Sequence, residues 1–249
     1  MILKILQWNK WVKEDISKVA EYIKSLEADI VCLQELKVIS KKGRVVLDEP
    51  KYISKYLRFY YSSSIAHCQK NNGFNICQSN AIFSRYQIFT RKWVFVQGAS
   101  ETISKDYSTE PRIALSIKIS VKNKDINIVN THLSYTNKFV ETVKKITEEN
   151  KFINFCNRFT KPLIICGDFN ANESSFIVSE LQRNYLNAGP DYSAKTWTTK
   201  PFSHEGFQAD SLSWRLDHIF VSKDIKILST KVLPTIYSDH LPIYCEVKI

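Results

Sequence analysis

Short apolar runs that stop at polar residues recur along the chain and predict buried β-strands. In the clearest of them, Leu163–Cys166, two isoleucines stand at the centre of a run that follows Pro162 and ends at Gly167. A run this short and β-branched favours a strand over a helix. The other predicted strands are Ile2–Gln7, Asp29–Leu33, Arg58–Ser62, Asn80–Phe83, Arg91–Val96, Arg112–Ile119, Asp125–Asn130, Leu216–Val221, Ile225–Val232 and Leu241–Val247.

Helical spacing of apolar residues predicts helices between some of these strands. The predicted helices are Glu14–Leu26, Tyr52–Leu57, Phe139–Phe155 and Phe176–Gln182. The stretches without periodicity are predicted to be loops: Leu36–Lys51, Gln97–Glu110 and Asn184–Trp214. Both halves of the chain show the same coarse order of strands and helices, and no Pro/Gly-rich linker separates them. The pattern therefore predicts a single domain over residues 1–249, of the α/β (α+β) class, with two packed mixed sheets and helices outside them.

Composition and charge narrow the class of protein. Apolar residues make up 44% and charged residues 24% of the chain, which is ordinary for a soluble globular protein. No apolar run approaches the roughly 18 residues that a membrane span needs. The net charge of +10 is uneven, because residues 1–125 hold 21 Lys and Arg against 12 Asp and Glu. This asymmetry indicates either a polyanionic partner or lysines that are simply solvated.

The six cysteines show no CxxC spacing, and three of them lie in apolar, strand-like runs. Buried free thiols in a reducing cytoplasm are the preferred interpretation, and a bridge between Cys68 and Cys77 is the alternative. A secretion signal is not expected, since the candidate site residue Asn9 follows Met1 so closely. The sequence thus predicts a cytoplasmic protein without a stable membrane anchor, and a monomer.

Polar residues that a hydrolytic site uses stand at the ends or starts of several predicted strands. They are Asn9, Gln34, Glu35, His132, Asp168, Asn170, Asp217, Asp239 and His240. Carboxylate and amide oxygens suit Mg²⁺ or Mn²⁺, whereas zinc spacing, phosphate-binding glycine loops and a GxSxG motif are all missing from the sequence. Taken singly, each residue has an ordinary alternative as a turn former, a solvated acid, a core histidine or half of an ion pair. Their joint occurrence favours a site.

The order of these residues resembles that of a known superfamily. The stretches Gln7-Trp8-Asn9, Leu33-Gln34-Glu35, Asn130-Thr131-His132-Leu133, Gly167-Asp168-Phe169-Asn170, Trp214-Arg215-Leu216-Asp217 and Ser238-Asp239-His240 are similar to the motifs of the endonuclease/exonuclease/phosphatase superfamily. The resemblance covers residues 3 to 248 and implies the deoxyribonuclease-I-like four-layer sandwich. It also implies a metal-dependent phosphodiester hydrolase with Mg²⁺ or Mn²⁺. The chain departs from the pattern after Asn9, because Lys10-Trp11-Val12-Lys13 follows and many relatives have a glycine shortly after this Asn.

The resemblance also implies a role for each matching position. Glu35 would be the main metal ligand, with Asn9 beside it and Asp239 near it. Asp168 would orient or deprotonate the attacking water, and Asn170 would help to hold the phosphate. His240, oriented by Asp217, would stabilise the developing charge, and His132 would act from the opposite side. Asn80 and Arg112, in two further matching stretches, would contact the substrate.

Three functions remain open at this stage. The preferred one is a nuclease acting on DNA or RNA, because Lys41, Lys42 and Arg44 follow Glu35 in a predicted loop and would bind a polynucleotide beside the metal. The alternative is a phosphoesterase of lipid head groups or small phosphorylated molecules, which the aromatic stretch Trp197–Trp214 could contact. A catalytically idle binding module is disfavoured, since every candidate catalytic position is filled.

Overall fold

The computed structural model describes residues 1–98 and 106–249. The α-helices in this part of the chain are α1 (Ile16–Ser25), α2 (Glu49–Leu57), α3 (Val143–Cys156) and α4 (Phe176–Asn184). The strands of the first half are β1 (Ile2–Asn9), β2 (Ile30–Lys41), β3 (Arg44–Asp48), β4 (Tyr60–Asn71), β5 (Phe74–Ser84), β6 (Ile88–Gln97) and β7 (Arg112–Val121). The strands of the second half are β8 (Lys124–His132), β9 (Leu163–Asp168), β10 (Tyr185–Asn187), β11 (Phe202–His204), β12 (Phe207–Ala209), β13 (Asp217–Ser222), β14 (Lys226–Val232) and β15 (Ile243–Lys248).

The strands form two large mixed sheets. The first has the order β14-β15-β1-β2-β5-β4, and β3 pairs with the far end of β2. The second has the order β10-β13-β9-β8-β7-β6, while β11 and β12 form a separate hairpin. In the described residues, the parallel pairs are β1 with β2 and β8 with β9. Each sheet therefore has one parallel pair near its centre, and polar residues follow the strands of both pairs.

Within the described residues, three of the four apolar clusters pack the layers against one another. A central core between the sheets includes Ile5, Ile128 and Ile164. A second core joins α1 and α2 to the first sheet, with Val19 and Ile53 against Phe83. A third joins α3 and α4 to the second sheet, with Phe152 against Phe169. The helix–sheet–sheet–helix sandwich that the sequence predicts is confirmed.

Helix starts follow side-chain caps rather than the apolar pattern. Asp15 accepts a hydrogen bond from the backbone N–H of Ser17 and begins α1 close to the predicted start. The third helix begins only at Val143, after the capping Thr142, although the pattern predicts a start at Phe139. Phe139 instead has a φ of 57° and packs in an aromatic cluster with Trp197. The apolar pattern correctly indicates that Phe139 is buried, but it does not show which residues Phe139 packs against.

The predicted loop Leu36–Lys51 is wrong. Strand β2 continues to Lys41 and turns back through Lys42 and Gly43 into β3, both turn residues having positive φ (47° and 78°). The turn residues Lys42 and Gly43 are compatible with a hairpin, but the apolar residues on either side of them do not alternate with polar ones. Strands β4 and β5 are likewise longer than predicted and meet at Asn72-Gly73, a common hairpin turn.

The other two predicted loops contain more structure than expected. The stretch Asn184–Trp214 includes β10 and the β11–β12 hairpin, whose turn is Glu205-Gly206. These strands have three residues each, which is too short for periodicity to detect. In the stretch Gln97–Glu110, a short 3₁₀ helix spans Tyr107–Thr109. The middle of that stretch, residues 99–105, lies outside the described residues.

The expectation that all six cysteines are free thiols is wrong for two of them. Cys68 on β4 and Cys77 on β5 are cross-strand partners and form a disulfide. Cys32, Cys156, Cys166 and Cys245 are buried free thiols, as predicted. Within the described residues, none of the helices has both the length and the apolar character to cross a membrane.

Candidate active site

Strand register brings the predicted polar residues to one end of the two central strand pairs. On the parallel pair of the first sheet, Asn9 of β1 is level with Gln34 of β2. On the second sheet, His132 of β8 is level with Asp168 of β9, and Asp168 is also level with Asp217 of β13. Carboxyl ends of parallel strands are a frequent location for ligand sites. The residues meet where these ends of the two sheets face each other.

A β-bulge presents Glu35 at this end. Between the pairs Leu33–Ala81 and Leu36–Ser79, Gln34 and Glu35 of β2 oppose the single residue Asn80 of β5. Glu35 adopts a φ of 60°, which is uncommon for a residue with a side chain. Its carboxylate accepts hydrogen bonds from the Asn9 side-chain amide (3.0 Å) and from the backbone N–H of Val12 (2.8 Å). The bulge thus turns Gln34 into the interior and Glu35 towards the cavity described below.

The carboxylate of Asp168 is at the centre of the site and is 1% exposed. Its Oδ2 accepts a hydrogen bond from Asn9 Nδ2 (2.9 Å) and lies 3.5 Å from His132 Nε2 and 3.6 Å from His240 Nε2. Its Oδ1 accepts from the backbone N–H of Asn170 (2.9 Å). These contacts hold both carboxylate oxygens in one orientation.

Gly167 allows Asp168 to reach this position. A Cβ at residue 167 would lie 2.6 Å from the carbonyl oxygen of Thr131, which is closer than packing tolerates. Only glycine lets β9 approach β8 this closely. The Gly-Asp-x-Asn motif therefore has a local structural cause in addition to any chemical one.

His240 is paired with Asp217. The Nδ1 of His240 lies 2.8 Å from Oδ2 of Asp217, and the other carboxylate oxygen of Asp217 accepts from Gln7 (3.3 Å). The carbonyl of His240 accepts from the indole N–H of Trp8 (2.9 Å), which fixes the backbone that carries the ring. The imidazole is consequently held with Nε2 towards Asp168.

Three buried amide side chains connect the two sheets behind the site. Gln7 and Gln34 exchange hydrogen bonds of 2.7 and 3.0 Å, and Gln34 donates to Asn130 (2.6 Å). Asn130 in turn donates to the carbonyls of Leu33 and Ala81. Because each buried amide has partners, the network is stabilising and fixes the spacing of the sheets at the site. These three residues lie in the matching motifs, but the local sequence does not predict that they connect the two sheets.

His132 and Asn170 lie on the opposite side of Asp168 from Asp217. The side-chain amide of Asn170 contacts His132 Nε2 (3.1 Å) and donates to the carbonyl of Leu133 (2.9 Å). Asn170 has a φ of 47°, a conformation that asparagine tolerates better than most residues. Both side chains are buried and line the cavity.

Burial and neighbouring charges separate the pKa values of these groups. Burial raises the pKa of Asp168 to about 7 against the lowering effect of His240. Burial lowers the pKa of His240, but Asp217, Asp168 and Asp239 outweigh it and raise this pKa to about 10. Burial, with Arg112, lowers the pKa of His132 well below its usual value. The site therefore combines an imidazolium, a neutral imidazole and a carboxyl group of raised basicity.

A cavity of about 410 Å³ opens over these groups. Arg112 lines it, and its guanidinium is paired with Glu110 at 2.8 Å. Burial raises the pKa of Glu110, whereas Arg112 lowers it. Aromatic side chains, including Tyr107, Tyr135 and Phe202, form part of the wall. Asn80 is buried on β5 opposite the bulge, where its amide donates to the carbonyl of Ile113 (3.4 Å).

The structure does not bring the predicted basic residues to this cavity. Lys41 and Arg44 are paired at the tip of the β2–β3 hairpin, with Lys42 in its turn. Lys41 is six residues beyond Glu35 along β2, which corresponds to about 20 Å of strand. The loop prediction that placed these residues beside Glu35 fails because the chain is extended.

Cavity residues that the sequence analysis did not assign to the catalytic or metal site come from distant segments. Trp11, Lys13 and Lys200 lie at its rim, and Trp197 donates from its indole N–H to Asp239 (3.2 Å). Below the site, the buried ammonium of Lys145 on α3 donates to the carbonyls of Ser134 and Phe169. It therefore ties the segments that follow His132 and Asp168 to one helix. Contacts of this kind depend on the three-dimensional arrangement and leave no mark in local sequence.

Two groups of side chains in the described residues could hold a cation. Ligand atoms of Asp168, Asp217 and His240 lie within 4.8 Å of one another. Glu35 and Asp239 also face the cavity beside Asn9, and both burial and Glu35 raise the pKa of Asp239. The second group consists of oxygen donors with excess negative charge, which fits a hard divalent cation. In the first group His240 is charged, and a metal ligand must be a neutral imidazole.

A two-sheet sandwich with this site defines the chain as a phosphoesterase of the deoxyribonuclease-I-like class. The sequence profile of the Endonuclease/Exonuclease/phosphatase family matches residues 6–240, and the chain belongs to this family. Its members are hydrolytic phosphoesterases. Among curated proteins, none matches the chain in sequence.

Solved structures of low sequence identity share the fold. One is an endonuclease/exonuclease/phosphatase family protein from Leptotrichia buccalis C-1013-b, with a TM-score of 0.73 and 21% identity, covering 99% of this chain and 100% of that one. The mannosyl-6-phosphatase of Bacteroides thetaiotaomicron VPI-5482 has a TM-score of 0.68 and 17% identity, covering 99% and 100%. The human nocturnin catalytic domain with bound sulfate has a TM-score of 0.66 and 19% identity, covering 99% and 93%.

Proposed function

We propose that this chain is a metal-dependent phosphodiester hydrolase, a nuclease that cleaves DNA or RNA by attack of water on a phosphate. The observation that carries the proposal is the arrangement around Asp168. Its buried carboxylate lies between His132 and His240, and the cavity opens over all three. Phosphoryl transfer to water needs an aligned nucleophile and donors for the phosphate oxygens, and this arrangement supplies both.

Asp168 acts on the attacking water. A carboxylate with a pKa raised towards 7 is a better proton acceptor than an exposed one and is still substantially ionised near neutral pH. Asn9 and the backbone of Asn170 fix its two oxygens, so that it can orient the water as well as accept its proton. Positioning of this kind lowers the barrier because the nucleophile is already aligned when the substrate binds.

His240 neutralises charge on the phosphate. Asp217 keeps its imidazole protonated, and the ring is held with Nε2 towards Asp168 and the cavity. An imidazolium in a buried site donates a strong hydrogen bond to a phosphate oxygen as negative charge develops there. His132 is neutral, and its Nε2 accepts from the side-chain amide of Asn170, which also donates to the carbonyl of Leu133. To hold a second phosphate oxygen, this amide would exchange one of these two contacts for it.

Glu35 and Asp239, with Asn9 beside them, would hold the divalent cation. Their oxygens suit Mg²⁺ or Mn²⁺, and the raised pKa of Asp239 reflects burial together with the nearby negative charge of Glu35. When bound, such a cation would neutralise charge on the phosphate and on the leaving oxygen. The Trp197 indole fixes Asp239, and the Val12 backbone fixes Glu35. The chain thus orients both carboxylates without the cation.

A second candidate is the hydrolysis of a small phosphorylated molecule. The specific observation in its favour is that the basic hairpin tip lies away from the cavity, whose volume of about 410 Å³ suits a small substrate. The structural similarity to a mannosyl-6-phosphatase agrees with this reading.

A substrate panel separates the two candidates. Single-stranded DNA, duplex DNA, RNA, bis-para-nitrophenyl phosphate, para-nitrophenyl phosphate and a hexose 6-phosphate are each incubated with Mg²⁺, Mn²⁺ or EDTA. The proposal expects cleavage of polynucleotides and of bis-para-nitrophenyl phosphate in either metal and none in EDTA. A mock preparation from cells that lack the expression plasmid, purified in parallel, reports contaminating nuclease. Hydrolysis confined to monoesters would support the second candidate, and hydrolysis in EDTA would overturn both.

A further inference from the structure

The indole ring of Trp11 holds two ammonium groups at the cavity rim. Lys13 Nζ lies 5.0 Å and Lys200 Nζ lies 4.6 Å from the ring centroid. All three side chains line the cavity that contains Glu35, Asp168 and His240. Cation–π contact stabilises an ammonium group over an aromatic face and restricts its position. Two lysines from distant parts of the chain are thereby gathered at one edge of the candidate active site.

The backbone ties this cluster to the candidate metal ligands. The N–H of Trp11 donates to Asn9 Oδ1 (3.0 Å), and the next N–H, that of Val12, donates to Glu35 (2.8 Å). Trp11 itself has a φ of 57°, a conformation that favours glycine. A large aromatic residue thus occupies a position whose backbone a glycine would adopt readily. These two hydrogen bonds hold the backbone of Trp11 and Val12 beside Asn9 and Glu35.

The charge of the cluster is positive. Lys200 forms an ion pair with Glu14, which precedes α1, whereas Lys13 is exposed. With Trp11 neutral, two ammonium groups face one carboxylate. An anion at the rim would therefore meet one ammonium group that Glu14 does not neutralise, and it would compete with Glu14 for Lys200.

We propose that Trp11, Lys13 and Lys200 form a subsite for a second phosphate group of the substrate, next to the phosphate that is cleaved. The assignment of the cleaved phosphate rests on the proposed function. Lysine binds phosphate as a mobile point charge, and the indole restricts where the two charges lie. The second phosphate comes either from the neighbouring nucleotide of a polynucleotide or from a small molecule that carries two phosphates. A substrate with one phosphate leaves the subsite empty.

Binding without turnover tests the subsite. In excess EDTA, the enzyme is titrated with pairs of probes that differ by one phosphate, and NMR chemical shifts report affinity. One pair is the dithymidine dinucleotide with and without a 5′-phosphate, and the other is a hexose bisphosphate and the corresponding monophosphate. For at least one pair, the wild type should bind the two-phosphate probe about tenfold more tightly. The pair that shows the preference identifies the source of the second phosphate. Equal affinity within both pairs would overturn the proposal.

Variants assign the preference to the cluster. Lys13→Gln/Lys200→Gln should remove most of the tenfold preference, whereas Lys18→Gln/Lys226→Gln, which removes two exposed lysines elsewhere, should retain it. Glu14→Gln should increase the preference by releasing Lys200. An unchanged preference in Lys13→Gln/Lys200→Gln would overturn the proposal.

Trp11 is tested by two substitutions. Trp11→Gly fits the positive φ and deletes the ring, so it should lower the preference severalfold without unfolding the protein, and Trp11→Phe should preserve most of it. A full preference in Trp11→Gly would contradict the role of the ring. Hydrolysis is then measured separately with wild type and Mg²⁺. Absence of hydrolysis would count against the proposed function, while the EDTA titration still decides the subsite.

Discussion

His240 and Asp217 form a buried pair that joins the two sheets of the molecule, with Nδ1 and Oδ2 2.8 Å apart. Asp217 begins β13 of one sheet, and His240 stands just before β15 of the other. Removing either partner therefore affects both the charge at the site and the contact between the sheets. A buried charge that loses its partner is costly, so the surviving group responds by changing its protonation.

The pairing predicts strong coupling between Asp217 and His240 in catalysis. Asp217→Asn should lower the His240 pKa and reduce kcat about 10²–10⁴-fold, because the imidazole loses the charge that stabilises the phosphate. In a His240→Ala background, Asp217→Asn should have little further effect. The check is a double-mutant cycle of kcat/KM, with thermal unfolding of each variant as the control. Additive losses would show that Asp217 acts independently of the imidazole.

Metal dependence should respond to Glu35. Glu35→Gln replaces a carboxylate by a neutral amide, a poorer ligand for a hard dication, so the Mg²⁺ concentration for half-maximal activity should rise at least tenfold. The measurement is a Mg²⁺ titration of activity at fixed substrate. Glu21→Gln, which removes an exposed carboxylate on α1, should leave the titration unchanged. A Glu35→Gln titration that coincides with the wild type would remove Glu35 from the ligand set.

The free energy of unfolding should fall as the pH rises, because of Glu149. This residue on α3 is buried, and burial raises its pKa from 4.5 to about 7, although Lys145 lowers it. A carboxyl group with a raised folded-state pKa is more easily ionised when unfolded, so stability is lost as pH rises from 4.5 through 7. At 1.36 kcal/mol per pKa unit, the loss is about 3 kcal/mol.

Glu149→Gln cannot ionise and should remove this loss. Relative to wild type, its free energy of unfolding should therefore improve between pH 4.5 and pH 8 by up to about 3 kcal/mol. Urea unfolding at several pH values measures the difference, with Glu21→Gln as the control. A constant difference across this range would mean that Glu149 is ionised in the folded protein.

The basic hairpin tip should matter only for long substrates. About 20 Å of extended strand separates Glu35 from the hairpin tip, which holds Lys41, Lys42 and Arg44. A duplex of fewer than about six base pairs is too short to reach from the site to this tip. Replacing all three by alanine should weaken binding of a 30-base-pair duplex and flatten its salt dependence by up to about three log–log units. A tetranucleotide should be cleaved as by the wild type. If the triple variant weakened the reaction of both substrates equally, the prediction would be wrong, because the hairpin tip would then have to lie close to the site.

Much of the fold could be predicted from the sequence, because buried strands consist of short, dense runs of apolar, β-branched residues. Leu163–Cys166 falls within β9, and the polar residues that follow the runs do meet at one end of the sheets. The hairpins at Lys42-Gly43 and Asn72-Gly73 were missed because their strands are partly exposed and carry polar residues. Without apolar alternation, only the turn residues signalled them.

The geometry of the site was less predictable than its composition. The bulge that turns Glu35 towards the cavity depends on pairing between β2 and β5, which a local pattern does not encode. The rim depends on contacts such as that between Glu14 and Lys200, 186 residues apart in the sequence. Long-range contacts of this kind follow from the packing of the sheets.

Hydrolysis by Asp168→Asn tests the central claim most directly. Asparagine keeps the shape of the side chain and its contacts with the Asn170 backbone, but it cannot accept a proton from water. With Mg²⁺ and the best substrate of the panel, turnover should fall about 10²–10⁴-fold while thermal unfolding stays close to that of the wild type. Asp210→Asn, an exposed substitution, should retain full activity. Turnover by Asp168→Asn within threefold of the wild type, in protein free of contaminating nuclease, would contradict the assignment of Asp168 and the mechanism built on it.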